Sequence, residues 1–164
     1  MLRNILIVFA LVLLVGMSKG FSADTVQKVD IATDLMQLAK QARQEHLPIM
    51  IFFSREDCDY CKMLEADHLG VMAHSVSYKD KVIIRKVMLD DYDSIRDFSG
   101  KKIDVDELSR RFSISVTPTL VFLDQNGNLL GKKMPGYNRS DFYGYYLDEA
   151  INNAKMVLQQ QAAL

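Results

Sequence analysis

The chain has 164 residues, with 20 basic and 21 acidic side chains and a formal net charge of −1 at neutral pH. This balance gives no support to nucleic-acid binding, which depends on an excess of positive charge. Hydrophobic residues make up 49% of the chain, which at this length is enough for one domain with a buried core.

The first 23 residues have the pattern of a secretory signal peptide. The start is positively charged, Ile5 to Val15 is an unbroken apolar run, and the residues from there to Ala23 are mainly small or polar. A bilayer span needs about 20 apolar residues, so this run is too short for one. We predict cleavage after Ala23 or Gly20, with a retained membrane anchor as the less favoured alternative. The predicted domains are this signal peptide, residues 1–23, and one exported domain, residues 24–164.

Two secondary-structure elements are predicted before the cysteines. Apolar residues recur at helical spacing from Asp30 to His46, which predicts a helix capped by Asp30 or Thr33. Ile49 to Phe53 is an apolar run too short for a helix and is preceded by Pro48. This run predicts a strand buried on both faces.

A helix, a strand and a loop are predicted in the middle of the chain. The helix begins at Cys58 and ends near His68, before an interruption at Gly70. Val82 to Leu89 is apolar and β-branched enough for a strand parallel to the first. The polar residues from Asp90 to Lys102 predict a loop.

The last third of the chain predicts a helix, a hairpin and a final helix. Asp104 and Glu107 have the spacing of a helix capping box. Leu120 to Leu123 predicts the third strand, and Asn126-Gly127 is a strong hairpin signal. The hairpin returns through Leu129 to Met134, and Ser140 is the predicted cap of the final helix. The predicted packing residues of that helix are Phe142, Tyr145, Tyr146, Ala150, Ile151 and Val157.

Cys58 and Cys61 are the only cysteines, so the only disulfide that can form within this chain joins them to each other. Three residues apart at a strand-to-helix turn, they can close a small disulfide and reopen it without rearranging the fold. Cys58 would lie at the helix N-terminus, where backbone N–H groups and the helix dipole stabilise a thiolate. Cys61, one turn further and more buried, would resolve the mixed disulfide. A static disulfide and half of a metal site are the alternatives.

The C-x-x-C pair at the start of a helix after a buried strand, followed downstream by Val116 to Asp124 and then by Asn126-Gly127, resembles the thioredoxin fold. More narrowly, three motifs resemble periplasmic thioredoxin-like proteins of the SoxW type: Cys58-Asp59-Tyr60-Cys61-Lys62, the Thr-Pro-Thr-Leu-Val-Phe segment that begins at Thr117, and Pro135-Gly136-Tyr137. The resemblance implies an α/β thioredoxin fold: a mixed sheet with parallel central strands, an antiparallel edge hairpin and helices on both faces. It also implies thiol–disulfide exchange in the bacterial periplasm with no cofactor. Electrons would come from a membrane thiol transporter of the DsbD type and pass to client proteins with oxidised cysteines.

The same resemblance implies a substrate groove beside the cysteines. Pro118 matches the family's cis-proline, which places the backbone of Thr117 where it can pair with an extended client segment. Gly136 would bound the groove on its far side, and Tyr60 is expected to be exposed and to contact the substrate. Tyr137 would either rim the groove or pack under the last helix.

The charges around the cysteines predict the direction of electron flow. Glu56, Asp57 and Asp59 surround Cys58 with negative charge, against only Arg55 and Lys62 nearby. These acids make the Cys58 thiolate less stable, and a less stable thiolate gives a more reducing couple. We therefore predict a reductase, with a disulfide isomerase or oxidase as the alternative. The acids could instead be a solvated rim without effect.

Two features of ordinary thioredoxins are missing from this chain. The buried acid that thioredoxins carry on the strand before the cysteines falls on Phe52, and the tryptophan before the first cysteine is replaced by Asp57. Proton transfer at Cys61 would then need water or Glu56.

Two functions of other classes remain open. A copper- or zinc-handling protein would use the cysteine pair with His68 or Met63. However, His46 and His74 offer no ligand spacing and there is no second cysteine pair, so no metal site is predicted. The other alternative is a redox-inactive chaperone that binds clients.

Overall fold

The computed structural model describes residues 27–90, 94–138 and 141–163. The predicted signal peptide and Ser140 lie outside these ranges. In chain order the elements are α1 (Leu35–Glu45), β1 (Ile49–Ser54), α2 (Asp59–Leu64), a π-helical turn (Glu65–Leu69), α3 (Gly70–His74), α4 (Val76–Lys79), β2 (Ile83–Met88), β3 (Ser94–Arg96), β4 (Lys102–Asp104), α5 (Val105–Arg111), β5 (Thr119–Leu123), β6 (Met134–Pro135) and α6 (Tyr143–Ala162).

Within the described residues, four strands form one mixed sheet in the order β2-β1-β5-β6. β1 runs parallel to β2 and antiparallel to β5, and β6 pairs antiparallel with β5. The predicted mixed sheet, with its parallel pair and antiparallel edge hairpin, is confirmed. Because β1 and β2 are parallel, both strands end at the same edge of the sheet.

Strand β1 is the centre of the core, and all of its residues are buried. Met50 and Phe52 pack on one face of the sheet with residues of α2 and α6. Ile49, Ile51 and Phe53 pack on the other face with residues of α1 and α5. The predicted burial on both faces is confirmed. Packing from both sides fixes the end of β1, from which the cysteine turn leaves.

Helix α1 begins later than predicted. Its cap is Asp34, whose carboxylate accepts a hydrogen bond from the backbone N–H of Gln37 at 2.8 Å. The predicted caps Asp30 and Thr33 are wrong. The chain around Asp30 is instead extended, because it exchanges backbone hydrogen bonds with Lys86 along the edge of β2.

The cysteine helix does not stop at Gly70, contrary to the prediction. Gly70 has helical dihedral angles and lies where the π-helical turn passes into α3. A Cβ at this position would collide with the backbone carbonyl oxygen of Gln27. Glycine is therefore required by a close crossing of the N-terminal segment over the helix, and not by a helix end.

The predicted loop from Asp90 to Lys102 contains strand β3, which pairs with β4 in a small antiparallel hairpin. The hairpin is organised around Asp97, which is buried and accepts hydrogen bonds from Ser99, the Lys101 backbone and the Arg111 guanidinium. Burial alone would raise the pKa of Asp97, but these hydrogen bonds hold it below its ordinary value. The sequence indicated a loop because this segment is rich in polar residues, and nothing in the sequence shows that the charge of Asp97 is buried.

The predicted turn at Asn126-Gly127 is present, with Gly127 at a φ of 83°. The carboxylate of Asp124 accepts from the backbone N–H groups of Asn126 and Asn128 and closes the turn. The returning strand is shorter than predicted, because Leu129 makes a single bridge before β6.

The predicted start of helix α5 at Asp104 is confirmed, but the predicted capping-box hydrogen bonds are wrong. Asp104 occupies the cap position, but its side chain makes no cap hydrogen bond with the described residues. Glu107 lies 3.6 Å from Arg111, one turn along the helix, instead of reaching back to the cap.

The packing predicted for helix α6 is confirmed for Ile151, which is buried, and for Ala150 and Val157, which are half-buried against the core, but it is wrong for the aromatic residues near the start of the helix. Phe142, Tyr145 and Tyr146 are exposed, whereas the buried stripe consists of Tyr143, Leu147, Ile151, Ala154 and Leu158. None of the helices in the described ranges has both the length and the hydropathy to cross a membrane.

Candidate functional site

Cys58 and Cys61 lie where β1 ends and α2 begins, and they form a disulfide. Cys58 is the N-cap residue of α2, and its Sγ accepts a hydrogen bond from the backbone N–H of Cys61 at 3.1 Å. This N–H is shared with the carbonyl oxygen of Cys58, also at 3.1 Å, and it would stabilise a thiolate on Cys58 after reduction, together with the positive end of the helix dipole.

The two sulfurs differ in access. Cys58 is half-buried, whereas Cys61 is 1% exposed and belongs to the core cluster between the sheet and α6. A sulfur of another protein can therefore approach Cys58 but not Cys61. This difference fits the predicted order of attack by Cys58 and resolution by Cys61.

The predicted groove residues come together at the cysteine end of the sheet. Thr119, at the start of β5, pairs with Phe53 near the end of β1, so the adjoining Pro118 lies beside the cysteine turn. The Thr117-Pro118 peptide bond is cis. Gly136 donates its backbone N–H to the carbonyl oxygen of Pro118 at 2.7 Å.

The surface around these groove residues is open. A Cβ on Gly136 would meet no heavy atom of the described residues within 4 Å. Tyr60, between the cysteines, is 58% exposed, as predicted. A cavity of about 340 Å³ opens beside Thr117 and is lined by Arg55, Leu89 and the segment that leads to Thr117. These features leave room for an extended peptide beside the disulfide.

All three predicted tuning acids, Glu56, Asp57 and Asp59, are exposed around the cysteine turn. A fourth acid joins them, because the backbone N–H of Glu56 donates to the carboxylate of Asp90 at 2.6 Å. Sequence reasoning missed Asp90, which is 34 residues away in the chain. The signal was present, since residues that follow two adjacent parallel strands meet at one edge of the sheet.

Tyr137 packs under the last helix and does not rim the groove, so the second of its two predicted roles is the observed one. Its ring lies 4.7 Å from that of Tyr143, and its hydroxyl donates to Asp67 at 2.7 Å. His68 packs against both tyrosine rings. Burial, and secondly the neighbouring Tyr137, raise the pKa of Tyr143 above its ordinary value. Among the described side chains, no group of three or more His, Cys, Asp or Glu could hold a metal ion.

A largely buried ion pair that was not predicted involves Glu65, one helical turn after Cys61. Glu65 accepts hydrogen bonds from Lys86 at 2.8 and 3.0 Å, and from the backbone N–H of Val29 at 2.7 Å. Phe52, at the position of the family's buried acid, is fully buried. The sequence signals were a glutamate four residues after Cys61 and a lysine within an apolar strand.

The chain is similar to a known protein family and to several solved structures. Residues 35–151 match the family model of the thioredoxin-like domain. No curated protein sequence matches the chain. Thioredoxin f from spinach chloroplast has a TM-score of 0.54 and 19% identity, with 81% of this chain and 99% of that chain covered.

Two further solved structures are similar. Mitochondrial thioredoxin 3 from Saccharomyces cerevisiae has a TM-score of 0.52 and 22% identity, with 76% of this chain and 94% of that chain covered. The periplasmic thioredoxin SoxS from Paracoccus pantotrophus has a TM-score of 0.45 and 16% identity, with 65% and 98% covered. At these identities, the similarity to the two thioredoxins shows a shared fold. The family match covers more than half of the chain and includes Cys58 and Cys61: the chain belongs to the thioredoxin-like family and is a thiol–disulfide oxidoreductase.

Proposed function

We propose that this protein reduces disulfides of exported client proteins, with Cys58 as the nucleophile and Cys61 as the resolving thiol. The observation that carries the proposal is the hydrogen bond from the Cys61 N–H to Sγ of an accessible Cys58, with Cys61 itself buried behind it. In the dithiol form, the Cys58 thiolate attacks one sulfur of a client disulfide, and the other client sulfur leaves as a thiolate. Cys61 then attacks Sγ of Cys58, which releases the client and restores the Cys58–Cys61 disulfide.

The client segment is held by addition of an extended strand at the groove. The backbone of Thr117 pairs with it beside Pro118, Gly136 bounds the groove on its far side, and Tyr60 contacts it from the cysteine turn. The position of these residues at one end of the sheet and the open space above Gly136 support this assignment.

The proposed location is the periplasm, reached by a signal peptide over residues 1–23. There a membrane thiol transporter of the DsbD type would return the cysteine pair to the dithiol form after each cycle. The charged start and apolar run of the first residues support export. Within the family, the motifs around the cysteines and Pro118 favour a protein of the SoxW type.

The redox potential tests the direction of electron flow. Because exposed acids surround Cys58, we expect equilibrium with glutathione to give a potential nearer the roughly −270 mV of thioredoxin than the roughly −120 mV of DsbA. A variant with Glu56→Gln, Asp57→Asn and Asp59→Asn together should be more oxidising, since removal of negative charge stabilises the thiolate.

One result would count against this direction, and another against the acids as its cause. A wild-type potential close to that of DsbA would indicate an oxidase. An unchanged potential in the triple variant would show that the acids are a solvated rim without effect on Cys58.

A further inference from the structure

We propose that Glu65, positioned by Lys86, accepts the proton of the Cys61 thiol when the mixed disulfide is resolved. This inference rests on the proposed function, because it concerns the second step of the same exchange. It assigns a role to a buried carboxylate in a chain that has Phe52 where thioredoxins carry their buried acid.

Glu65 lies one helical turn after Cys61. Its backbone N–H donates to the carbonyl oxygen of Cys61, so the two side chains are on the same face of the helix. Residues at this spacing have Cβ atoms about 5–6 Å apart, so the two side chains are neighbours on the helix. A base of this kind acts at hydrogen-bond distance or through one water. Cys61 is 1% exposed and the side chain of Glu65 is 13% exposed, so that face is shielded from bulk water.

The sheet places Lys86 on the same side. Lys86 of β2 is the register partner of Phe52 of β1, and Ile84, two residues before Lys86, belongs to the same core cluster as Phe52. Because alternate residues of a strand point to the same face, Lys86 faces that cluster. Phe52 and Cys61 belong to one core cluster. The Glu65–Lys86 pair therefore lies in the layer between the cysteine helix and the sheet, beside the position that holds an acid in thioredoxins.

Stability alone does not explain this pair. The desolvation of two buried charges can exceed their mutual attraction, and an apolar pair is often at least as stable. The carboxylate is also held by the backbone N–H of Val29, so its position is fixed by two different segments of the chain. Glu65 begins the π-helical turn, and such turns occur frequently at functional sites. The other predicted acceptor, Glu56, is exposed.

The proton balance of the step is complete. In the mixed disulfide, Cys61 is a thiol and Glu65 is a carboxylate. The proton moves from Sγ of Cys61 to an oxygen of Glu65, and the resulting thiolate attacks Sγ of Cys58. The bond between Cys58 and the client breaks, and the client sulfur leaves as a thiolate. Lys86 remains charged throughout, and Glu65 afterwards releases its proton to the solvent.

The test is the reaction of the reduced protein with Ellman's reagent in a stopped-flow instrument. Attack by Cys58 releases a first coloured thiolate, and attack by Cys61 releases a second. Glu65→Gln keeps an oxygen for Val29 and Lys86 but cannot accept a proton. We expect it to slow the second phase about 100-fold near neutral pH and to leave the first phase within about twofold of wild type. The two proteins should converge at high pH, where hydroxide removes the proton.

Two further variants keep the result interpretable. Asp97→Asn is the matched control, because it also neutralises a buried carboxylate that is paired with an arginine, in the hairpin of β3 and β4. It should leave the pH profile of the second phase unchanged. If Glu65→Gln does not fold, Glu65→Gln combined with Lys86→Met removes the unpaired cation, and the same slow second phase is expected.

Three outcomes would overturn the inference. A second phase with the wild-type rate and pH profile in a folded Glu65 variant excludes Glu65 as the acceptor. Equal slowing in Asp97→Asn would assign the effect to general destabilisation. If the wild-type protein releases no second thiolate, the exchange reaction itself is refuted. If the wild-type protein releases both thiolates and the Glu65 variant behaves in the same way, only this inference is refuted.

Discussion

Replacement of Cys58 with Ser is expected to reduce the rate of disulfide reduction by at least about 1,000-fold, because the nucleophile is lost. A serine hydroxyl does not ionise near neutral pH, and the remaining thiol of Cys61 is buried beyond the reach of a client sulfur. Reduction of insulin with dithiothreitol as the electron source, followed by turbidity, measures the rate.

The control for this variant is its own thermal unfolding, compared with that of the reduced wild-type protein. Neither protein has the disulfide, so the comparison isolates the side-chain change. A folded Cys58→Ser variant with the wild-type rate would mean that the cysteine pair is not the reactive group. It would favour a chaperone, whose client binding is indifferent to the thiol.

Gly70→Ala is expected to lower the free energy of unfolding by about 3 kcal/mol, the upper end of the usual cost of overpacking. The added methyl group would collide with the backbone carbonyl oxygen of Gln27, and backbone cannot move aside as a flexible side chain can. Displacement of this segment would also weaken the hydrogen bond from Val29 to Glu65. Urea unfolding measures the change, provided that the m-value, which is the slope of the free energy of unfolding against urea concentration, is the same in both proteins.

Gly131→Ala is the matched control for Gly70→Ala. Among the described residues, no heavy atom lies within 4 Å of a Cβ at Gly131. This variant should stay within about 0.5 kcal/mol of wild type. If the two variants are equally stable, the N-terminal segment moves away from the helix without cost, and the close crossing at Gly70 is unimportant.

The parts of the fold that depend on local sequence were predictable. An apolar run from Ile49 after Pro48 indicated β1, and Asn126-Gly127 indicated the hairpin turn, because each signal depends on a few adjacent residues. The same holds for the cysteine pair, whose spacing and position after a buried strand indicated a disulfide at a helix start.

The contacts between distant segments were not predictable in the same way. Gly70 resembled a helix end because its real constraint is the carbonyl of Gln27, which only the folded chain brings near. Asp90 and Lys86 reach the site by the register of β1 with β2, and neither has a local signal for its partner.

The aromatic residues at the start of α6 show a third kind of error. An apolar stripe can be drawn through several aromatic residues near the start of this helix, and composition alone does not choose between them. The observed stripe begins at Tyr143 and continues through Leu147 and Ile151 at helical spacing, which leaves Tyr145 and Tyr146 in solvent.

Capture of a mixed disulfide is the most direct test of exchange at Cys58. A Cys61→Ser variant can attack a client but cannot resolve the product, so reaction with an oxidised model protein should accumulate a covalent one-to-one adduct through Cys58. Mass spectrometry after alkylation would identify the linked residue, and dithiothreitol should release the client. If Cys58 of this variant is still a free thiol after the reaction, alkylation will label it. That result would contradict disulfide exchange by this protein.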